Sequence, residues 1–227
     1  MESSDITIIF LTPNKVPKKW ALFHKEKLIE AAGSSPIITI SMEPLDWGIN
    51  ILQNAPYEIS NIYAQLLKGA KLAATRYIGV AEDDALYPRE HFICFRPPMD
   101  SFAYNMNRLG IFTWGKPTYF WNNRVVNATL IAPRELTIEA LEERFRKYPK
   151  GMPALIAGEL GKEKVDRLFG VSVRKQVQFF SETSVIRIDH EFGLDQAARK
   201  HTKRMGAIKA YDIPYWGKAE EMVKKFV

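Results

Sequence analysis

The sequence predicts an α/β fold: a mostly parallel sheet flanked by helices, with a mixed and more basic second half. Three observations predict it. The segments Ile6–Leu11, Pro36–Ile40 and Tyr77–Ala81 are nearly continuous apolar, β-rich runs, the pattern of strands buried on both faces. Helix-length stretches with 3.6-residue apolar spacing separate them, and that alternation implies right-handed crossovers and parallel pairing. Charge is uneven: residues 1–100 hold 10 Lys/Arg against 12 Asp/Glu, a balance of −2, whereas residues 101–227 hold 22 against 14, a balance of +8.

In chain order, Thr12-Pro13-Asn14 ends the first strand, because proline lacks a ladder donor and asparagine favours turns. Lys18 to Ala32 reads as a helix with Trp20, Phe23, Leu28 and Ile29 on one side and Gly33 as its stop. Ser60 to Ala74 is a second helix, with Ile62, Leu66, Ala70 and Ala73 at helical spacing. Beyond residue 100, Arg124 to Ala132 reads as a strand, antiparallel to its neighbours. Pro133 to Tyr148 reads as an amphipathic helix with Ile138, Leu141 and Phe145 inward, Val185 to Ile188 as a short strand, and Lys218 to Phe226 as a terminal helix. No repeat or linker divides the chain, so 1–227 is expected to form a single domain, with ligand binding in 1–100 and a more basic partner surface in 101–227.

Composition narrows the classes. The chain has 227 residues, 46% hydrophobic and 26% charged, which is ordinary for a globular domain and argues against disorder. No apolar run approaches the ~20 residues of a membrane helix. Met1-Glu2-Ser3-Ser4-Asp5 is the opposite of a secretory leader, so a cytoplasmic location is expected. A single cysteine, Cys94, excludes an intrachain disulfide and a multi-cysteine zinc site; its setting in Phe92-Ile93-Cys94-Phe95 reads as core. The net charge of +6, concentrated in the second half, points to an anionic partner such as nucleic acid, phosphates or a membrane surface, or else to a solvated basic face.

The chemistry centres on Glu82-Asp83-Asp84, directly after a buried strand. Adjacent carboxylates repel unless a cation or donors compensate. At the carboxyl end of a parallel strand they face the crevice where open α/β sheets bind ligands. Hard oxygen ligands there suit Mg2+ or Mn2+ bridging substrate phosphates.

The stretch from Asn61-Ile62-Tyr63 through Arg76-Tyr77-Ile78-Gly79-Val80-Ala81-Glu82-Asp83-Asp84-Ala85-Leu86-Tyr87-Pro88 resembles GT-A glycosyltransferases, in which a helix precedes a hydrophobic strand ending in an acidic motif. The opening strand ending in Thr12-Pro13-Asn14 is similar to the family-2-type start. The run EDDALYPREHF resembles small bacteriophage-type enzymes, some of which glycosylate modified bases in viral DNA. The resemblance covers roughly residues 5–95. It implies a GT-A-like, Rossmann-type fold, a nucleoside-diphosphate sugar as donor (a UDP-sugar above others) and Mn2+ or Mg2+ as cofactor. It implies Asp84 and Glu82 as metal ligands, Asp83 against the ribose or a metal-bound water, and Thr12 and Asn14 against the nucleoside. The first acid is Glu rather than Asp, which leaves the second ligand open between Glu82 and Asp83. His190, in Ile188-Asp189-His190-Glu191, matches the C-terminal histidine that completes such metal sites.

Other candidates come from the residues themselves. Glu159, between glycines in Ala157-Gly158-Glu159-Leu160-Gly161, is the candidate base for an acceptor hydroxyl. The aromatic run Phe112 to Trp121 reads as a core-packed hairpin, with Trp114 beside Gly115 as the ring free to stack on an acceptor. Lys200, Lys203 and Arg204 are the candidate acceptor cations. His91 is expected to order the turn after the acidic motif; His24 and His201 read as surface residues. The resulting expectation is glycosyl transfer to an acceptor hydroxyl, with hydroxymethylpyrimidine in DNA as the first acceptor and a polysaccharide or lipid-linked acceptor as its rival. A non-catalytic nucleic-acid-binding protein is the alternative of a different class.

Overall fold

The computed structural model describes residues 4–54, 56, 58–153, 156 and 158–227; Met1–Ser3 of the acidic N-terminus and Ala157 of the glycine-flanked stretch lie outside the described residues. The chain begins with β1 (Ile6–Thr12), α1 (Lys18–Ala32), β2 (Ile37–Ser41), β3 (Ile49–Leu52), α2 (Ile59–Leu72) and β4 (Tyr77–Glu82). After the acidic triplet come β5 (Ala85–Leu86), α3 (Arg89–Ile93), β6 (Ser101–Asn105), β7 (Arg108–Phe112) and β8 (Tyr119–Trp121). Then follow β9 (Leu130–Pro133), α4 (Arg134–Lys147), α5 (Glu163–Leu168), β10 (Lys175–Phe179), β11 (Val185–Asp189), α6 (Gln196–Arg199) and β12 (Ile208–Ala210). A short β13 (Asp212–Ile213) and β14 (Gly217–Lys218) pair lead into α7 (Ala219–Phe226).

The predicted class is the observed one. A seven-stranded sheet has the order β10-β6-β9-β4-β1-β2-β3. Strands β3, β2, β1 and β4 pair in parallel, β9 runs antiparallel to both β4 and β6, and β10 is parallel to β6. Every strand except β9 therefore points the same way. The fully buried run of β1 explains its unbroken apolar sequence: all seven residues are buried, between the α1 side and the α2 side. Chain order places β2 on one side of β1 and β4 on the other, so a topological switch point opens between Thr12 and the end of β4. On the α2 side the helix comes very near the sheet: a Cβ on Gly69 would lie 2.6 Å from Ile9 Cγ2, so glycine is what lets α2 seat there.

A second sheet, β12-β8-β7-β11-β5, stands beside the first. Because β4 belongs to the large sheet and β5 to the small one, the acidic triplet is the join between them. The aromatic run forms the expected hairpin, β7 pairing antiparallel with β8, and Phe120 covers Gly110 directly across the ladder. No helix among the described residues is long and apolar enough to cross a membrane.

Three local expectations are corrected. Ile29 is 44% exposed, and the inner line of α1 is Trp20, His24, Leu28, Ala31 and Ala32. At 3.6 residues per turn a position nine after Trp20 falls about half a turn away, so Ile29 cannot share its face. Arg124 to Ala132 is not one strand: only Leu130–Pro133 pairs, after a 3-10 turn at Asn127–Thr129 closed by Thr129 N–H and Oγ1 on the Val126 carbonyl, each at 3.1 Å. Cys94 is exposed rather than core, since it falls just after the short α3.

Candidate functional site

The three adjacent acids do not point together. Asp83 turns back to the end of β1, where Thr12 Oγ1 donates to Asp83 Oδ2 at 2.6 Å and the Asn14 N–H donates to Thr12 Oγ1 at 2.9 Å. Glu82 turns toward the 3-10 turn, accepting from Asn127 Nδ2 at 3.3 Å. Asp84 turns across to β11, with Oδ2 at 3.6 Å from Arg187 Nε and 3.9 Å from His190 Nε2. Divergence is how the chain accommodates charges that would otherwise repel. Burial, helped by the Asp84 charge, also raises the Glu82 carboxyl to about 7. Burial and then Asp84 raise Asp83 to about 8, against the Thr12 hydrogen bond, so Asp83 is mostly protonated at neutral pH.

Helix α1 holds the backbone of this turn. Trp20 Nε1 donates to the Asp83 carbonyl at 2.7 Å, and one turn later His24 Nε2 meets the carbonyls of Ala85 at 2.8 Å and Glu82 at 3.1 Å. His24 is thus not a surface residue. It is 2% exposed, stacked on Phe10 at 5.1 Å, and burial lowers its imidazole to about 4, so it serves as a neutral donor. Its charged neighbours in sequence, Lys25 and Glu26, disguise a position that the helical line through Trp20 and Leu28 includes.

Strand β11 supplies the opposite wall. In Val185-Ile186-Arg187-Ile188-Asp189 the two isoleucines pack into the core with Trp20 and α7, while the alternate residue Arg187 turns toward Asp84 and Asp189 lies beside Arg187. The ladder fixes the register: Arg187 pairs with Ala85, and the Ile188 N–H donates to the Asp84 carbonyl at 2.7 Å. Arg187 NH1 lies 3.5 Å from Asp189 Oδ1. Burial works against the guanidinium charge, but Asp189, Asp84 and Glu82 outweigh it and hold its pKa above the usual value. Lys203 continues the alternation, its Nζ at 2.5 Å from Asp189 and 3.0 Å from Asp195. His190 is lowered by burial, the Asp84 charge pulling the other way, and so presents a neutral ring packed on Phe226 at 4.8 Å.

Glu82, Asp83, Asp84 and Arg187 line a cleft of about 130 Å³. Its walls include Thr12, Pro13, Met42, Gln53, Asn61 and Gln65 on the β1–α2 side, and His190, Phe192 and Asp195 on the other. Residues of the N-terminal and C-terminal halves therefore meet in one cavity. Asn14 stands behind it: Asn14 Oδ1 accepts the N–H groups of Met42 at 2.9 Å and Glu43 at 3.0 Å, tying the β1 turn to the end of β2. Its φ of 56° is the left-handed conformation that asparagine tolerates.

The fit to a divalent cation can be read from the donors. Among the described residues Asp84 Oδ1 and His190 Nδ1 are buried without hydrogen-bond partners, and the facing pair Asp84 Oδ2 and His190 Nε2 offers one oxygen and one neutral nitrogen. No group of three or more His, Cys, Asp or Glu side chains among the described residues is arranged to hold a metal ion. The two residues thus fit an ion that takes its other ligands from substrate phosphate and water, the habit of Mg2+.

The remaining candidates fall elsewhere. Glu159 is 9% exposed, ion-paired with Lys162, and is not among the residues lining the cleft. Trp114 is half-buried and already stacked on Phe112 at 4.5 Å and on His201 at 4.6 Å, so its neighbours are protein rings rather than open space. Lys203 is committed to Asp189 and Asp195; Lys200, Arg204 and His201 are exposed. His91 is buried, its Nδ1 at 3.1 Å from Asn105 Nδ2, and it joins the turn after the acidic motif to β6. Sequence reasoning missed Arg187, Asp189 and Asn127. For the first two the signal was present: charges at alternate positions of an apolar strand require partners on one face.

No family model matches the chain, and no curated protein does. Solved structures are similar to it in general course. A glycosyltransferase involved in glycosylation of the major capsid of PBCV-1 is 11% identical, with 81% of this chain and 92% of that one covered at a TM-score of 0.48. The inositol-1-phosphate CTP transferase from T. maritima is 11% identical over 91% and 99%, at 0.47. A mutant Drosophila β1,4-galactosyltransferase 7 complexed with manganese, UDP-Gal and xylobiose is 13% identical over 97% and 80%, at 0.44. The chain spans half the length of another, the bifunctional IspDF from Campylobacter jejuni, which is 10% identical over 79% of this chain at 0.39. These structures are similar to this chain in fold, at identities too low to carry residue roles.

Proposed function

We propose that the protein is a glycosyltransferase that moves a sugar from a nucleoside-diphosphate sugar, a UDP-sugar above others, to an acceptor hydroxyl, with Mn2+ or Mg2+ held by Asp84 and His190. The observation that carries this reading is the facing pair itself. A carboxylate and a neutral imidazole meet 3.9 Å apart, each with a second buried atom lacking a partner among the described residues, beside a cleft at the switch point of a parallel sheet.

The chain's own residues divide the work. Trp20 and His24 fix the backbone of the acidic turn, so Asp84 is held in place before any ligand arrives. Asp83, accepting from Thr12 Oγ1, closes the end of β1. Gln65 of α2 offers an amide group to the nucleoside, beside Gln53 and Asn61, whose Oε1 and Nδ2 bond each other at 3.2 Å. When bound, the ion supplies Lewis-acid neutralisation of the charge on the departing diphosphate.

For the acceptor we propose hydroxymethylpyrimidine in DNA, supported by the +8 balance of residues 101–227 and by exposed Lys200 and Arg204 on the C-terminal side. The test is a thermal-shift screen over nucleotide sugars with and without Mn2+, because a ligand that binds only the native state raises the melting temperature. A rise that needs both sugar nucleotide and Mn2+ is expected. No rise with any nucleotide sugar would leave a non-catalytic nucleic-acid-binding protein in its place.

A further inference from the structure

We infer that Arg187 is a second, permanent cation of the donor site and binds the diphosphate directly; this rests on the nucleotide-sugar reading proposed above. Arg187 lines the cleft with Asp84 and His190, and its side chain is 22% exposed, so one edge remains open to a ligand. Both of its ion pairs are long. Nε is 3.6 Å from Asp84 Oδ2 and NH1 is 3.5 Å from Asp189 Oδ1, outside ordinary hydrogen-bond distance.

Nε is moreover buried without a hydrogen-bond partner among the described residues. A guanidinium carries five donors in a rigid fork, and with Nε enclosed the terminal nitrogens form the open edge. The nearby acids hold the charge in place without using the fork. What matches it is a planar or tetrahedral oxyanion with two oxygens to offer, which is the geometry of phosphate.

The ladder fixes this cation beside the proposed metal ligands. Arg187 pairs with Ala85, the residue after Asp84, while Asp84 Oδ2 lies within 4 Å of both Arg187 and His190. Arg187 is thus placed to contact the diphosphate from the β11 side as the ion does so from Asp84 and His190. In the transfer, the bond between sugar C1 and the β-phosphate oxygen breaks and both electrons stay on that oxygen. The acceptor oxygen bonds to C1 and its proton leaves to water or a carboxylate. The charge so developed falls where a fixed guanidinium needs no reorganisation to meet it.

The experiment measures binding rather than turnover. UDP, GDP, CDP and ADP, with the matching monophosphates and nucleosides, are titrated by calorimetry against wild type, Arg187→Gln and Arg187→Lys, in Mn2+ and in EDTA. Wild type is expected to keep measurable diphosphate affinity in EDTA. Arg187→Gln should lower that affinity about tenfold or more, the scale of a hydrogen bond to a charged group, while nucleoside affinity stays the same. Arg187→Lys, which keeps the charge and loses the fork, should fall between and decides the matter if Arg187→Gln does not fold. Diphosphate affinity in EDTA that is equal in wild type and a folded variant, or a loss shared equally by the nucleoside, would overturn the assignment. Binding of no nucleoside diphosphate by wild type in Mn2+ would instead overturn the nucleotide-sugar reading, and this inference with it.

Discussion

Asp84 and His190 face one another across the join of the two sheets, Oδ2 to Nε2 at 3.9 Å. Asp84 comes from the turn that ends β4, and His190 follows β11 directly, so the pairing exists only because β11 lies against β5. If the pair holds a divalent ion, His190→Ala removes a ligand while leaving Asp84 in place. The Mn2+ concentration giving half-maximal activity should then rise roughly tenfold or more, with a smaller effect on saturated turnover. An unchanged value would return His190 to a packing role against Phe226.

His24 gives a prediction about acid stability. Burial holds its imidazole at about 4 in the folded protein, below the usual histidine value of 6.5. A depressed histidine contributes stability that is fully present above the unfolded pKa and lost as pH falls through the folded one. His24→Phe keeps a ring beside Phe10 but strips the carbonyls of Glu82 and Ala85 of their donor, which should cost about 1–3 kcal/mol near neutral pH. The deficit should shrink as pH falls from 6.5 toward 4, because only wild type then pays to keep its imidazole neutral. Denaturant melts at a series of pH values measure this, and a gap independent of pH would contradict the assignment.

The acceptor surface is open to a salt titration. Phosphate contacts release counterions, so log K for duplex DNA falls with log salt at a slope near −0.9 per neutralised phosphate. Replacing exposed Lys200 and Arg204 with glutamine should flatten the slope by about two contacts' worth. Lys203→Gln should act differently, lowering the melting temperature by unpairing Asp189 and Asp195. Comparing hydroxymethylated with unmodified DNA as acceptor must accompany the titration, because phosphate contacts carry no base identity. Binding without salt dependence, and no sugar on either DNA, would turn the acceptor toward a polysaccharide or a lipid-linked hydroxyl.

How far the sequence was legible follows from what each segment is asked to do. β1, β2 and β4 are buried on both faces, so their apolar runs announce them, and α1 ends at Gly33 with φ 58° as its glycine implies. The join was legible too, as an acidic run after a buried strand. β3 escaped because it is an edge strand of four half-exposed residues with no apolar run. β6 and β10 escaped because their register is set by long-range pairing with each other and with β9. Within the site, adjacency in sequence suggested that Glu82, Asp83 and Asp84 act as one group, yet alternation along an extended turn sends each to a different partner. Asn14 and Lys203 looked like ligand contacts because nothing in the sequence reveals that the amides of Met42 and Glu43 and the acids Asp189 and Asp195 engage them.

The most direct test of the central claim is release of sugar from a nucleotide sugar by the purified protein, comparing wild type with Asp84→Ala in Mn2+ and after EDTA treatment. In Asp84→Ala the lost pairing with Arg187 and the relieved repulsion from Glu82 oppose one another, so the variant is expected to fold. Wild type should hydrolyse the donor slowly and only with Mn2+, and folded Asp84→Ala should be at least about 100-fold slower. A folded Asp84→Ala protein that hydrolyses the donor at the wild-type rate in EDTA-treated buffer would contradict the account.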